Sequence, residues 1–282
     1  MLVSEIIEVK NLVKVYGSKG QIKALDGVSL SVKEGDFVGI MGPSGSGKST
    51  LLNMIGTVDT PSKGSVYLDG ENIRELREGK IAEFRYKNIG FIFQEFNLLD
   101  NLTLRENIAV PLVLDGISKD VIKDKVDKIS RKLGIEDQMD KYPQECSGGQ
   151  RQRAAASRAL VTEPKVIIAD EPTGNLDTKT SHELLQFLKD LNETEGKTIV
   201  MVTHDAMIAS YTKKLVFLRD GKIEEIIEKG PVSGVDLRRN AWIVQKLRIW
   251  KNREKKPECC GAQLRRCGLL YQIGRASCRE RV

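Results

Sequence analysis

Apolar and polar positions change period twice along this chain. Near the start, Glu8-Val9-Lys10 and Leu12-Val13-Lys14-Val15-Tyr16 alternate, as half-buried strands do. Asp26-Gly27 and Glu34-Gly35 read as turns between short apolar runs. Val66-Tyr67-Leu68-Asp69-Gly70 reads as a strand that ends in a turn, so a small antiparallel sheet is expected here. From about Asn97 to Leu160 the pattern turns helical. Ile122, Val126, Ile129 and Leu133 recur at steps of four, three and four, with Ser118 placed as an N-cap and Gly134 as a stop. Strands then return: Val166-Ile167-Ile168-Ala169 and Thr198-Ile199-Val200-Met201-Val202 are continuous apolar runs, the mark of buried parallel strands. Between them a helix carries Leu184, Leu185, Leu188 and Leu191 on one face, which makes a parallel crossover unit. Leu215 to Ile223, with Asp220-Gly221 at its middle, reads as a closing hairpin. The predicted class is α/β, a mostly parallel sheet with an antiparallel β portion and a helical portion.

The chemistry sits at the ends of these runs. Gly42-Pro43-Ser44-Gly45-Ser46-Gly47-Lys48-Ser49 follows the apolar stretch Phe37 to Met41 and precedes a helix-forming segment from Thr50 to Ile55. This is a phosphate loop in its required context. Its glycines let backbone N–H groups turn inward around an anion, Lys48 can reach β- and γ-phosphates, and the Ser49 hydroxyl can hold Mg²⁺. Asp170 and Glu171 end the Val166 strand: the first acid of such a pair orients Mg²⁺ or its waters, and the second can orient the attacking water. Of the two histidines, His204 ends the Thr198 strand at the sheet edge where ligands bind, whereas His182 is expected on a solvated helix face. Gln94, after Phe91-Ile92-Phe93, can reach a metal or water. Ser147-Gly148-Gly149-Gln150 opens an Ala-rich helix and forms a second anion-binding helix start, a surplus that points to a nucleotide shared between two chains.

Charge changes the picture at one end. The net charge is +6, yet residues 231–282 hold 13 Lys and Arg against 4 Asp and Glu, which leaves the first 230 residues at −3. The body is therefore not a basic nucleic-acid binder. Four of five cysteines (Cys259, Cys260, Cys267, Cys278) lie in that tail without zinc-ligand spacing, and Cys146 stands alone in the body. A basic amphipathic helix with Ile243, Val244, Leu247 and Trp250 on one side is expected over 237–256, and from Pro257 on the text looks non-native and poorly ordered. No run of 18 apolar residues and no signal-peptide pattern appear, so a cytoplasmic chain is expected.

Together and in this order, these motifs resemble the ATP-binding subunits of ABC transporters, over about residues 5–228. The resemblance implies a P-loop NTPase core with an antiparallel β subdomain and an α-helical signature subdomain at about 97–160. It implies an ATPase domain at 5–230 and a basic extension at 231–282. It assigns Gly42 through Thr50 as the Walker A loop and Gln94 as the Q-loop. Ser147, Gly148, Gly149 and Gln150 match the signature, with Cys146 where the family usually has Leu. Ile167 to Glu171 match Walker B, Gly174-Asn175-Leu176-Asp177 the D-loop, His204 the switch histidine and Tyr16 the ring that stacks on adenine. Implied with these are ATP and Mg²⁺, with Ser49, Gln94 and Asp170 toward the metal and Glu171, His204 and Lys48 as catalytic groups. A head-to-tail homodimer, an integral-membrane permease that holds the chain on the inner face of the cell membrane, and no nucleic-acid partner are also implied. Within the family, Ala24 to Ser29 and Glu171 to Asp177 are similar to the macrolide-export and lipoprotein-release branch. Gly56 to Pro61 and Phe91 to Asp100 are similar to bacterial peptide-antibiotic (bacitracin-type) resistance transporters. Phe96, Leu98, Leu99 and Leu102 read equally as permease contacts or as core. The competing classes are a non-transport ATPase of the same superfamily that acts on nucleic acid or ribosome, and a small-molecule kinase or GTPase. The chain carries one cassette, no sustained heptads and no guanine-specific Asn-Lys-x-Asp motif.

Overall fold

The computed structural model describes residues 4–17 and 22–228. Strands β1 (Glu5–Tyr16), β2 (Ile22–Lys33), β4 (Lys63–Leu68) and β5 (Glu71–Asn72) pair antiparallel in the order β2-β1-β4-β5. Strands β3 (Phe37–Met41), β6 (Ile89–Phe93), β7 (Val166–Asp170), β8 (Thr198–Val202), β9 (Lys214–Arg219) and β10 (Lys222–Glu228) form the second sheet, in the order β10-β9-β3-β8-β7-β6. All neighbours in it are parallel except β10, which closes against β9 as a hairpin. The helices are α1 (Lys48–Ile55), α2 (Glu78–Asn88), α3 (Leu104–Leu114), α4 (Lys119–Leu133), α5 (Gly148–Leu160), α6 (Thr178–Glu195) and the single turn α7 (Ala206–Ala209).

The continuous apolar strands are explained by two cores, one on each face of the parallel sheet. Successive side chains of a strand point to opposite faces. Val38, Ile40, Val166, Ile168, Val200 and Val202 join α1 and the antiparallel sheet on one side. Phe37, Ile167, Ala169, Ile199 and Met201 join α3, α4, α5 and α6 on the other. Helix α6 buries Leu184, Leu185, Leu188 and Leu191 there, each worth roughly 2 kcal/mol. It is capped by Asp177 at one end and by left-handed Gly196 (φ 65°) at the other. Helix α5 buries Ala154, Ala155 and Ala156, small side chains that suit its packing between α3, α4 and β6.

Three expectations need correction. Asp26-Gly27 is not a turn: β2 runs through it, and Gly27 (φ 75°) is the extra residue of a bulge, because Leu12 pairs with Val28 and Val13 with Asp26. His182 is half-buried, not on a solvated face, with Nδ1 2.7 Å from the Tyr211 hydroxyl. Residues 97–103 are loop and not helix. Ser118 does take the N-cap position of α4, as expected, though without a capping hydrogen bond, and left-handed Gly134 ends the helix. The sequence pattern does not announce helix α2, which is mostly polar, lies against β6 and packs its half-buried Phe84 on the core that α1 and the antiparallel sheet share. The expected helix at 237–256 and the rest of the tail lie outside the described residues. No helix among the described residues is long and apolar enough to cross a membrane.

Of the apolar loop residues, Phe96 is buried beneath Arg151 and Leu98 packs on the core, while Leu99 is exposed. One side chain organises this loop. Fully buried Asn107 donates to the Leu99, Leu102 and Thr103 carbonyls at 3.0 Å, and its Oδ1 accepts from Leu99 N at 2.7 Å. Asn107→Leu strands those groups, so chemical denaturation should find the protein about 3 kcal/mol less stable.

Candidate functional site

The carboxyl ends of β3, β6, β7 and β8 bring most of the expected residues to one edge of the parallel sheet. After β3 the chain turns through Gly42 to Gly47 and enters α1 at Lys48. Gly45 and Gly47 sit in the left-handed region (φ 79° and 98°), and Gly47 is the N-cap. Three close approaches shape this turn. A Cβ on Gly42 would lie 2.2 Å from the Leu218 carbonyl oxygen, and one on Gly47 would lie 2.3 Å from that of Ala24. The Ser46 carbonyl accepts from Gly221 N at 3.1 Å. Lys48 bends back and donates to the Gly42 and Pro43 carbonyls at 2.9 and 2.8 Å. Burial pushes its pKa down; the Glu171 and Asp170 charges oppose that. Ser46 Oγ is buried without a protein hydrogen-bond partner beside Gly42. A glycine-rich turn, a helix N-terminus and a buried ammonium make an anion cradle.

Next to the cradle lie the acids. Ser49 Oγ donates to Asp170 Oδ1 at 3.3 Å. Burial pushes the Asp170 carboxyl up, against the Ser49 hydrogen bond that lowers it. Glu171 takes a left-handed backbone (φ 44°), and its Oε1 stands 3.1 Å from His204 Nδ1. His204 is otherwise well exposed, with 69% of its side chain open to solvent. Gln94 follows β6, whose last residue Phe93 is in register with Asp170. Its carbonyl accepts from Asn175 Nδ2 at 3.0 Å, and its side chain crowds Gly174. Tyr16, at the end of β1, is 40% exposed.

The signature segment is built as expected but stands elsewhere. Ser147 caps α5 reciprocally with Gln150: Gln150 N donates to Ser147 Oγ at 3.3 Å, and Ser147 N donates to Gln150 Oε1 at 2.8 Å. Gly148 and Gly149 pack against Asn175 and Thr180. Among the described residues no hydrogen bond joins this segment to the 42–50 loop. A cleft of about 260 Å³ opens here, lined by Ser147, Gly149, Gln150, Arg153 and Thr180 among others. Asp177 spends both carboxylate oxygens on Thr180, at 3.0 and 2.7 Å, so its first role is to start α6.

With this geometry in place, comparison with known proteins identifies the family. Residues 25–174 match the family model described as ABC transporter. The chain is 48% identical over 229 residues to the bacitracin export ATP-binding protein BceA of Halalkalibacterium halodurans, covering 81% of this chain and 90% of that protein. It is 43% identical over 219 residues to the macrolide export ATP-binding/permease protein MacB of Hyphomonas neptunium, covering 77% of this chain and 34% of that protein. A dimeric post-hydrolysis structure of the ATP-binding cassette MJ0796 with ADP and Pi aligns at TM-score 0.76 and 40% identity, covering 80% of this chain and all of that one. The chain belongs to the ABC transporter family, as an ATP-binding, ATP-hydrolysing subunit.

Sequence reasoning missed the residues that brace the site from a distance. Buried Gln152 donates from Nε2 to the Pro172 carbonyl at 2.6 Å and the Phe93 carbonyl at 3.4 Å. Arg158 holds the Asn97 and Phe96 carbonyls at 2.6 and 3.0 Å. Both stand on α5, and nothing local in the sequence marks them. For the loop itself, Gly45→Ala meets open space and only a positive φ, at a cost of about 1–2 kcal/mol. Gly42→Ala meets the Leu218 backbone. Thermal melts and ATP binding should therefore show Gly42→Ala as much the more damaging.

Proposed function

We propose that this chain drives a membrane permease that exports or disengages antimicrobial peptides, with ATP bound between two copies of the chain. The observation that carries the ATPase chemistry is the convergence of Lys48, the Ser49–Asp170 pair and the Glu171–His204 pair on one sheet edge. The 48% identity to a bacitracin export ATP-binding protein supports the peptide class. The MacB name, which joins ATP-binding and permease functions in one protein, supports the permease partner. The dimeric cassette structure supports pairing of two chains. On this reading residues 5–230 form the cassette and residues 231–282 an extension, and the chain sits at the inner face of the membrane through its permease.

The residues divide the work. Tyr16 stacks on adenine. Residues Gly42 to Thr50 hold the phosphates, and Lys48 offsets charge on the transferring phosphoryl. The hydroxyl of Ser49, the carboxylate of Asp170 and the amide oxygen of Gln94 are hard oxygen donors of the kind Mg²⁺ takes, so the donor set fits that ion. Bound there, Mg²⁺ would neutralise charge on the β- and γ-phosphates. Glu171 orients and polarises the attacking water, and His204, 3.1 Å away, holds the γ-phosphate side of the site. Ser147 to Gln150 of the second copy close over that phosphate, with the Gly148 and Gly149 N–H groups at the α5 start turned to it. Asp177 holds the adjoining helix start in place.

Lys48→Ala should abolish tight ATP binding. Glu171→Gln should retain it while hydrolysis in the permease complex falls by about 10²–10⁴-fold. Cells that express the chain with its permease should tolerate more bacitracin-type peptide and lose that tolerance with Glu171→Gln. A change in macrolide tolerance alone would overturn the peptide reading.

A further inference from the structure

The ring read as the adenine platform is held by Asp59 and Lys14, neither of which the sequence reading placed at the site. The Tyr16 hydroxyl donates to Asp59 Oδ2 at 2.9 Å. The other carboxylate oxygen, Oδ1, accepts from Lys14 Nζ at 2.7 Å and from Thr60 N at 2.7 Å. Lys14 is only 9% exposed, donates also to the Thr60 carbonyl at 2.7 Å, and places its ammonium over the Tyr16 ring, 4.8 Å from the centroid. Burial would raise the Asp59 carboxyl, but the Lys14 and Tyr16 hydrogen bonds outweigh it and hold the pKa below the usual carboxylate value.

The loop that carries Asp59 is fastened at both ends. It follows α1 directly, and the Val58 and Asp59 N–H groups donate to the Asn53 carbonyl at 2.9 and 3.3 Å. Beyond Pro61 it is stitched to β1: Ser62 N donates to the Val13 carbonyl at 2.9 Å, and Val15 N donates to Ser62 Oγ at 3.1 Å. Helix α1 thus begins at the phosphate cradle and ends at the anchor of the Tyr16 ring. One rigid element sets the spacing between the two.

We infer that Asp59, together with Lys14, is a positioning residue for nucleotide binding: it locks the Tyr16 ring with one face under the ammonium and the other presented to adenine. This rests on the reading of Tyr16 as the adenine platform. Two consequences follow from the chemistry. The phenol proton is committed to Asp59, so the base is met by the ring face and not by the hydroxyl. A cation on one face draws electron density from the ring, which favours an electron-rich purine on the other. A ring ordered before binding also loses less freedom when adenine arrives.

The test compares ATP with inorganic tripolyphosphate, which uses the cradle but has no base, by calorimetric titration of the purified full chain. Asp59→Ala removes the anchor, and Tyr16→Phe cuts the same link while leaving the ring and the carboxylate in place. Each should weaken ATP binding by about 5- to 10-fold, and the double variant should be no worse than the weaker single. Tyr16→Ala should weaken ATP more, and tripolyphosphate affinity should stay unchanged in all. Equal loss of ATP and tripolyphosphate would make Asp59 a structural residue and overturn the inference. Unchanged ATP affinity in Tyr16→Phe and any folded Asp59→Ala, with Tyr16→Ala still impaired, would overturn it and leave the platform reading standing. No effect of Tyr16→Ala would remove the platform and the inference with it.

Discussion

Everything at the site depends on how tightly the backbone is squeezed between Met41 and Lys48. Gly42 abuts the Leu218 carbonyl of β9, Gly47 abuts the Ala24 carbonyl of β2, and the Ser46 carbonyl takes the Gly221 N–H of the β9–β10 turn. One turn is thereby clamped by both sheets at once. The clamp leaves no room for a Cβ at two positions and demands positive φ at two. That is why the loop must be glycine-rich before any ligand is considered. The same constraint fixes where α1 starts, and with it the Lys48 ammonium, the Ser49 hydroxyl and the partly positive helix end. The anion cradle is a by-product of packing two sheets against one turn.

A second constraint ties the acids to the signature helix. Gln152, on the second turn of α5, reaches the carbonyls of Phe93 and Pro172, next in chain to Gln94 and Glu171. Asn175 reaches back to the Gln94 carbonyl. The helix capped by Ser147 therefore cannot shift without disturbing the segments that carry Gln94, read as a metal donor, and Glu171, read as orienting the attacking water. Stored backbone strain at Glu171 (φ 44°) sits at the centre of this arrangement. In one chain the Ser147 helix start faces the 175–180 segment and not the phosphate loop, which gives its N–H groups a reason to meet a second copy.

Much of this was legible because the fold repeats a backbone demand in residue type. Parallel strands that feed two cores must be apolar at every position, so Val166 to Ala169 and Thr198 to Val202 could be placed on sight. The phosphate loop, the paired acids and the Ser147 box were legible for the same reason: each local geometry tolerates few residue types. Asp26-Gly27 misled because a bulge and a turn both ask for a positive φ, and the local sequence does not say whether the strand resumes. Helix α2 carries too little apolar periodicity to announce itself. His182 could not be placed without Tyr211, which is 29 residues away. Asp59, Lys14, Gln152 and Arg158 share that failing. Their roles come from contacts across the fold, and contacts across the fold leave no local pattern.

The claim on which the functional account turns is that ATP is enclosed by the Lys48 cradle of one copy and the Ser147 helix start of another. Sedimentation velocity of the Glu171→Gln protein in MgATP and in MgADP tests it most directly. The account predicts a dimer holding two ATP in the first condition and a monomer in the second, with Ser147→Arg abolishing the dimer while ATP still binds. A Glu171→Gln protein that is saturated with ATP and remains monomeric would contradict it.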